Sequence, residues 1–306
     1  MIPGEGRPAV ARTREELDKL LAEVRASGKS VALVPTMGSL HSGHLTLFDR
    51  AAVLGDVVAA SIFVNPLQFG LDEDYARYPR DLGRDADLAG SRGVSLVFAP
   101  DESVMYPDGA ALVRVSPGPL GERLCGPYRP GHFEGVLTVV AKLFGIVRPD
   151  FAVFGRKDLQ QAVLIGRMVK DLELGVRIEI APLVRDEDGL ALSSRNAYLS
   201  DQERAQALGL SQALAAADGL FRSGEISAGN LIGRFAEVAA GHPGLTLQYA
   251  ELVDPETLEA AQSVTVGTVL AVAAFVGRTR LIDNLVLGAK VLDPRIPLAK
   301  PVEAKR

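Results

Sequence analysis

The chain has one cysteine, Cys125, in 306 residues, so no internal disulfide can form and the fold must rest on a buried core. Such sparing use of thiols fits a reducing compartment. Basic charge is not in surplus either: 33 Lys and Arg face 38 Asp and Glu, and a formal net charge of −5 argues against a polyanion-binding surface, which makes nucleic acid a poor partner. A small anionic substrate stays open, because one pocket can be positive on an acidic chain. Residues 1–8 lack the apolar core of a signal peptide, and the longest apolar stretch, about 264–276, is too short to cross a bilayer and reads as a buried strand pair or core element. The expectation is a cytoplasmic, globular protein with no membrane partner, and a chain of this length is expected to hold two domains.

Histidine is scarce as well, with four in the chain, and two of these, His41 and His44, fall in one four-residue window. The segment Val31-Ala-Leu-Val-Pro-Thr-Met-Gly-Ser-Leu-His-Ser-Gly-His44 reads as a buried strand, a tight turn and a helix opened by those two imidazoles. A helix N-terminus leaves backbone N–H groups unpaired and carries the positive end of the macrodipole, so donors added there at i and i+3 suit a phosphate. Gly38 and Gly43 let the main chain turn sharply and let an anion approach it. Two histidines at this spacing could also be half of a zinc site. Zinc needs three or four ligands, however, and neither Cys125 nor any nearby histidine spacing supplies the rest.

The pattern along the chain gives the architecture. Thr13-Arg-Glu-Glu16 is a capping box, and Leu17, Leu20, Leu21 and Val24 follow at helical spacing, which predicts an amphipathic helix ending near Gly28. A strand from Val31, a helix over about 43–54, an apolar run over 57–64 and a loop with Asn65 and Gln68 come next. A polar helix over 81–92, a strand over 95–99, a helix over 132–147, a strand over 151–154 and a helix over 159–171 continue the alternation. Repeated strand and helix predict a doubly wound α/β domain over 1–184, with a parallel sheet and a site at the carboxyl ends of its strands. After Val184 the texture changes. Ser200-Asp-Gln-Glu203 is a second capping box, helices are expected to about Phe221 and over 228–240, and strands over 245–253, 264–276 and 280–287. This predicts a smaller α+β domain over 185–306, with a loose tail from about Pro294.

Three other constellations follow strands. Phe154-Gly-Arg-Lys-Asp158, with Gln161 beyond it, places a mobile cation, Lys157, and a helix-opening carboxylate, Asp158, at a strand end; the same residues also make an ordinary helix start. Leu192-Ser-Ser-Arg195 offers two hydroxyls and a guanidinium for an anion, or a turn whose serines cap the next helix. Asn65 and Gln68 could satisfy turn backbone or read the hydroxyl and carboxylate groups of a small ligand. The acidic stretch Asp72, Glu73, Asp74, Asp81, Asp85 and Asp87 is expected to be mostly solvated, although one or two carboxylates with nucleotide phosphates would suffice for Mg²⁺.

Taken together, Pro35-Thr-Met-Gly-Ser-Leu-His-Ser-Gly-His44, Ser61-Ile-Phe-Val-Asn-Pro-Leu-Gln-Phe-Gly70, Tyr78-Pro-Arg80, Arg129-Pro-Gly-His-Phe-Glu-Gly-Val-Leu-Thr-Val-Val140 and Ser193-Ser-Arg-Asn196 resemble the pantothenate synthetase (pantoate:β-alanine ligase) family. The two-histidine element alone is shared across the wider HxGH nucleotidyltransferase superfamily, but five motifs in this order point to the one family. The resemblance runs over about 12–290. It implies a Rossmann-like ATP-binding domain, a smaller C-terminal lid domain, a homodimer and a Mg²⁺-dependent ligase reaction through a pantoyl adenylate.

Carried onto this chain, the resemblance gives ATP the residues Met37, Gly38, Ser39, Leu40, His41, Ser42, Gly43, His44, Gly155, Arg156, Lys157, Asp158, Val184, Leu192, Ser193, Ser194 and Arg195. His44 would be the catalytic proton donor, with His41 beside it on the phosphates and Lys157 as the third catalytic residue. Gln68 and Gln161 would hold pantoate with Asn65 nearby, and Asp85 matches the position linked to Mg²⁺. Two positions depart from the family: Arg156 stands where Glu is usual, and Leu192 where Met is usual. The chemistry agrees with the residue types. A substrate carboxylate is already a nucleophile at neutral pH, so no activated Ser or Cys is needed, and the first barrier is charge on the phosphates, which positioned donors relieve.

Overall fold

The computed structural model describes residues 6–71, 73–261 and 263–289; the tail expected from Pro294 and the acidic Asp72 lie outside the described residues. Six short strands pair in parallel: β1 (Ala9–Ala11), β2 (Val31–Thr36), β3 (Val57–Ile62), β4 (Val94–Phe98), β5 (Phe151–Gly155) and β6 (Arg177–Ala181). Their order is β1-β4-β3-β2-β5-β6. From β2 the sheet grows outward in both directions, so the chain reverses between β2 and β5 and leaves a crevice beyond the carboxyl ends of those two strands.

Alternation along β2 shows why the sheet is covered on both faces. Val31 and Leu33 join the core packed by α1 (Arg14–Ala26), α5 (His132–Val147) and α6 (Leu159–Asp171), whereas Ala32 and Val34 join the core packed by α2 (Ser42–Leu54) and α3 (Leu82–Gly90). Side chains of period two cannot avoid this division. The capping box of Thr13 and Glu16 closes on α1. One further short helix, α4 (Glu102–Met105), follows β4.

The second part of the chain builds α7 (Asp201–Arg222) and α8 (Ala228–Ala240) on an antiparallel sheet of β7 (Leu245–Val253), β8 (Val269–Val276) and β9 (Thr279–Val286), in the order β7-β8-β9. Ser200 and Glu203 make the expected reciprocal cap on α7. The central strand β8 is buried on both faces. Leu270, Val272 and Ala274 pack with α7 and α8, while Val269, Ala271 and Ala273 enter the same core as α5 and α6.

One expectation needs correcting, and two strands escaped the sequence reading. The strand placed over 264–276 begins at Val269, because residues 265–268 form a turn closed by the Thr268 N–H donating to the Thr265 carbonyl at 3.0 Å, with Gly267 at φ +102°. β1 has three residues, too few to show a period. β6 is an edge strand whose sequence Arg-Ile-Glu-Ile-Ala alternates polar and apolar, so it lacks the continuous apolar run used to find its neighbours.

Candidate active site

The turn after β2 delivers its two histidines in an unusual role, as caps. His41 is the N-cap of α2, and its Nδ1 accepts from the Gly43 N–H at 3.2 Å. His44 returns the bond, its Nδ1 accepting from the His41 N–H at 3.3 Å. A ring nitrogen that accepts is unprotonated, so in both neutral imidazoles the proton sits on Nε2. The rings lie with centroids 4.1 Å apart and line the same cavity. Capping therefore fixes both tautomers and leaves two Nε2–H donors for a ligand.

The turn itself is strained and pinned. Gly38 and Ser39 hold φ at +81° and +52°, a left-handed pair that turns successive N–H groups to one side. Asp85, fully buried on α3, fills that concavity: its Oδ2 accepts from the Ser39 N–H and its Oδ1 from the Leu40 N–H, both at 2.8 Å. A Cβ on Gly38 would lie 2.8 Å from the Asp85 Oδ2, so only glycine fits there. Burial raises the Asp85 carboxyl above its ordinary value, against the pull of the Leu40 and Ser39 N–H groups.

A cavity of about 220 Å³ opens at the crevice between β2 and β5. It gathers Met37, His41, Gly43 and His44 from the first turn and Gly155, Lys157 and Asp158 from the turn after β5; Gln68, Gln161, Val184, Ser193, Ser194 and Arg195 also line it. The backbone of the 156–158 turn is held from the antiparallel sheet, where Asn284 Nδ2 donates to the Arg156 and Lys157 carbonyls at 3.0 and 3.1 Å. Ser193 Oγ accepts from the Arg195 N–H at 3.2 Å and caps its own turn, while Ser194 Oγ donates to the Ser39 carbonyl at 3.2 Å and ties the two loops together; both serines line the cavity. The Arg195 guanidinium forms a fork on Asp74, at 2.7 and 3.0 Å.

The opposite wall is built on α5. Asn65 is fully buried and saturated: its Nδ2 donates to Gln68 Oε1 and to the Gly135 carbonyl, both at 3.1 Å, and its Oδ1 accepts from Tyr106 Oη at 2.8 Å. Gln68 Nε2 is left with Met37 Sδ at 3.1 Å, a weak acceptor that a ligand oxygen would displace. His132 donates from Nδ1 to the Gln68 carbonyl at 2.8 Å, and its Nε2 accepts from Arg129 at 2.8 Å. Arg129 in turn grips Glu73, at 2.6 and 2.8 Å. Val136, Val139, Val140 and Leu143 give this wall an apolar surface.

A family model described as Pantoate-beta-alanine ligase matches residues 9–286. The chain belongs to that ligase family. A pantothenate synthetase of Thermoanaerobacter sp. (strain X514) is 49% identical over 276 residues, which cover 90% of this chain and 97% of that protein. The crystal structure of a pantothenate synthetase from Thermus thermophilus superposes with a TM-score of 0.84 at 45% identity, covering 91% of this chain and 99% of the other. That of a pantoate-β-alanine ligase from Francisella tularensis, complexed with β-γ ATP and β-alanine, gives 0.77 at 33% identity over 92% and 99%.

Set against these ligase relatives, the site residues expected from the sequence fall into two groups. Met37, His41, Gly43, His44, Gln68, Gly155, Lys157, Asp158, Gln161, Val184, Ser193, Ser194 and Arg195 line one cavity. Gly38, Ser39, Leu40, Ser42, Asn65, Asp85, Arg156 and Leu192 do not. The first three make the pinned turn, Asn65 orients Gln68 from behind, and Leu192 packs beside Gly43. Sequence reasoning assigned no role to Arg129 and His132, although the motif that contains them was visible; their position at the opening of α5, ahead of an apolar run, was the available signal.

Three of the ligase's histidines resist protonation. Burial, then the Lys157 ammonium, holds His41 down to about 4; burial, then His41 and Lys157, holds His44 well below its ordinary value; burial, then Arg129, holds His132 at about 3. An unfolded histidine titrates near ~6.5, so between that pH and the folded value the unfolded chain binds protons that the folded chain refuses. Stability is therefore complete above about pH 6.5 and is lost as pH falls toward 4. Urea midpoints measured from pH 7.5 to 4.5 should fall steadily, and His41→Gln should flatten the slope. A midpoint independent of pH would contradict the buried neutral rings.

Proposed function

We propose that the chain condenses pantoate with β-alanine in two steps, at the cost of ATP cleaved to AMP and pyrophosphate. The observation that carries this is the capping arrangement of His41 and His44, which leaves two Nε2–H donors beside the Lys157 ammonium in one cavity. In the first step a pantoate carboxylate oxygen bonds to the α-phosphorus and the bond to the β-phosphate breaks, so charge accumulates on the departing pyrophosphate. The neutral His44 donates a hydrogen bond to those oxygens through Nε2–H, with His41 and Lys157 beside it. Because both donors are set by folding, little reorganisation is required as the charge develops. In the second step the β-alanine nitrogen bonds to the acyl carbon, AMP leaves with the electron pair of the broken C–O bond, and the amine loses a proton.

The nucleotide is assigned to the turn 37–44, to residues 155–158, to Val184 and to residues 192–195. Arg195 must exchange Asp74 for phosphate to take part. Pantoate is assigned to Gln68 and Gln161 against the apolar wall of α5, with Asn65 as a positioning residue. Mg²⁺ belongs to this reading as a companion of the triphosphate, a cation that keeps several waters. Asp85 does not fit as its direct ligand, since each carboxylate oxygen holds a backbone N–H and the residue does not line the cavity. The homodimer and the lid role of the smaller part rest on the family resemblance, the cytoplasmic setting on the sparing use of cysteine, and the division at residue 184 on the change of pattern after Val184. Among the described residues no helix is long and apolar enough to cross a membrane.

The deciding assay incubates the protein with ATP, Mg²⁺ and pantoate, with and without β-alanine. The expected result is one enzyme-equivalent of pyrophosphate without the amine, and steady AMP and pantothenate with it. Pyrophosphate released only with a phosphorylated acceptor would instead indicate a nucleotidyltransferase, and ATP binding without turnover a nucleotide-binding module.

A further inference from the structure

Two neighbouring residues of β9, Asp283 and Asn284, interrupt an apolar strand: Leu281 and Ile282 precede them, and Leu285 and Val286 follow. Both are buried, at 3% and 5% exposure. β9 is an outer strand of its sheet, and each of the two polar side chains reaches a loop that lines the main cavity. Asp283 takes the Arg185 guanidinium as a fork, at 2.6 and 2.9 Å, and Arg185 also donates to the Gly189 carbonyl at 3.1 Å. That anchors the hairpin in which the Leu192 N–H donates to the Val184 carbonyl at 3.0 Å, just ahead of Ser193, Ser194 and Arg195. Asn284 reaches the other loop, where its Nδ2 donates to the Arg156 and Lys157 carbonyls at 3.0 and 3.1 Å.

The 156–158 turn needs a hold from outside. Gly155 opens it without a side chain, and Asp158 caps nothing where α6 starts. The Lys157 ammonium stands 3.8 Å from the Asp158 carboxylate, beyond hydrogen-bond reach, so the place where its stem leaves the backbone decides where its charge lies. Asn284 supplies the hold at a cost. Only the amine end of its carboxamide can meet the two carbonyls, so Oδ1 is turned away from them and has no partner among the described residues. A buried acceptor left open is unfavourable, and an apolar residue of similar size on this strand would avoid that cost. Packing alone does not account for an asparagine here.

We propose that Asn284 is a positioning residue for the adenylating step: by holding the Arg156 and Lys157 carbonyls it sets the Lys157 ammonium beside the Nε2–H donors of His41 and His44. It acts through the main chain of that turn and not by touching the triphosphate. Asp283 pins the other loop from the adjacent position, so one edge strand holds both loops in a common frame. The inference rests on the ligase reading above. Removing the carboxamide frees the turn, and misplacing a charged group by about 1 Å can cost roughly 10²-fold in rate.

The test is a double-mutant cycle on the full chain, which reads the rate of the pyrophosphate burst with ATP, Mg²⁺ and pantoate by rapid quench, beside a thermal melt of each variant. Asn284→Ala should slow the burst about 10- to 100-fold in the parent. In a Lys157→Ala background the same change should cost less than about twofold, because no ammonium is left to misplace. Asn284→Ser keeps one shorter donor and should fall between the parent and Asn284→Ala; should the alanine variant melt below the assay temperature, the serine variant closes the cycle. An unchanged burst rate in the folded variant would overturn the inference, and so would an equal loss in both backgrounds, the mark of a structural residue whose effect does not pass through Lys157. A parent protein with no burst at all would instead defeat the ligase reading itself.

Discussion

Replacing His44 with alanine should lower kcat by about two to four powers of ten, the scale of losing a positioned donor to a transition state. The change removes the Nε2–H and also the Nδ1 that caps the His41 N–H, and an orphaned cap costs about 1 kcal/mol of helix stability. The two losses can be separated. His44→Asn offers a short carbonyl to the same N–H but carries no donor to the place where Nε2 stood. It should therefore restore most of the stability and almost none of the rate. Rapid-quench measurement of pyrophosphate with ATP and pantoate reads the chemical step, and a thermal melt reads the cap. Near-normal turnover in a folded His44→Ala protein would remove this imidazole from the reaction.

Gly135→Ala should be nearly as damaging, although the residue touches no ligand. A Cβ at that position would lie 2.2 Å from the Leu67 carbonyl oxygen, 2.4 Å from its carbon and 2.8 Å from the Gln68 N–H nitrogen. All three are backbone atoms, so no side chain can swing aside. Either α5 or the 66–68 turn must retreat. Gln68, whose carbonyl accepts from His132 of the same helix, moves with them. Overpacking of this kind costs about 1–3 kcal/mol in stability. Misplacing a substrate-holding group by about 1 Å can cost roughly 10²-fold in rate, expected here in kcat/KM for pantoate with ATP binding almost kept. Gly145→Ala on the same helix supplies the control, since its added methyl meets no atom within 4 Å. Equal pantoate kinetics in the two variants would show that this contact does not govern Gln68.

Elements whose pattern repeats over several turns were legible from the sequence. Helices α5, α6 and α8 fall where the periodicity puts them, because a long apolar face leaves one solution, and β7 has its expected bounds although its register shifts between Leu247 and Tyr249. Edge elements were not. β6 shows the alternating pattern of a half-exposed strand, and β1 is held by pairing with β4, a partner more than eighty positions away that local sequence cannot reveal. Within the site, residue types announced chemistry but not direction. Asp85 and Asn65 carry the same functional groups as residues that meet ligands, yet both point inward, one saturated by two N–H groups of a strained turn and the other by a carboxamide, a carbonyl and a phenol. His132 was passed over for the opposite reason: a lone histidine at a helix start has only Arg129 as a partner in its own segment, and its contact with the Gln68 carbonyl appears only once the fold brings the loops together.

The central strand β8 has a consequence for how the whole molecule comes apart. One side of it is glued to α7 and α8, and the other is continuous with the interior beneath α5 and α6, so neither portion has a finished exterior of its own. Severing the polypeptide between the two would strand a sticky wall on each fragment. The protein should accordingly melt as one cooperative unit, with a single thermal transition shared by both portions.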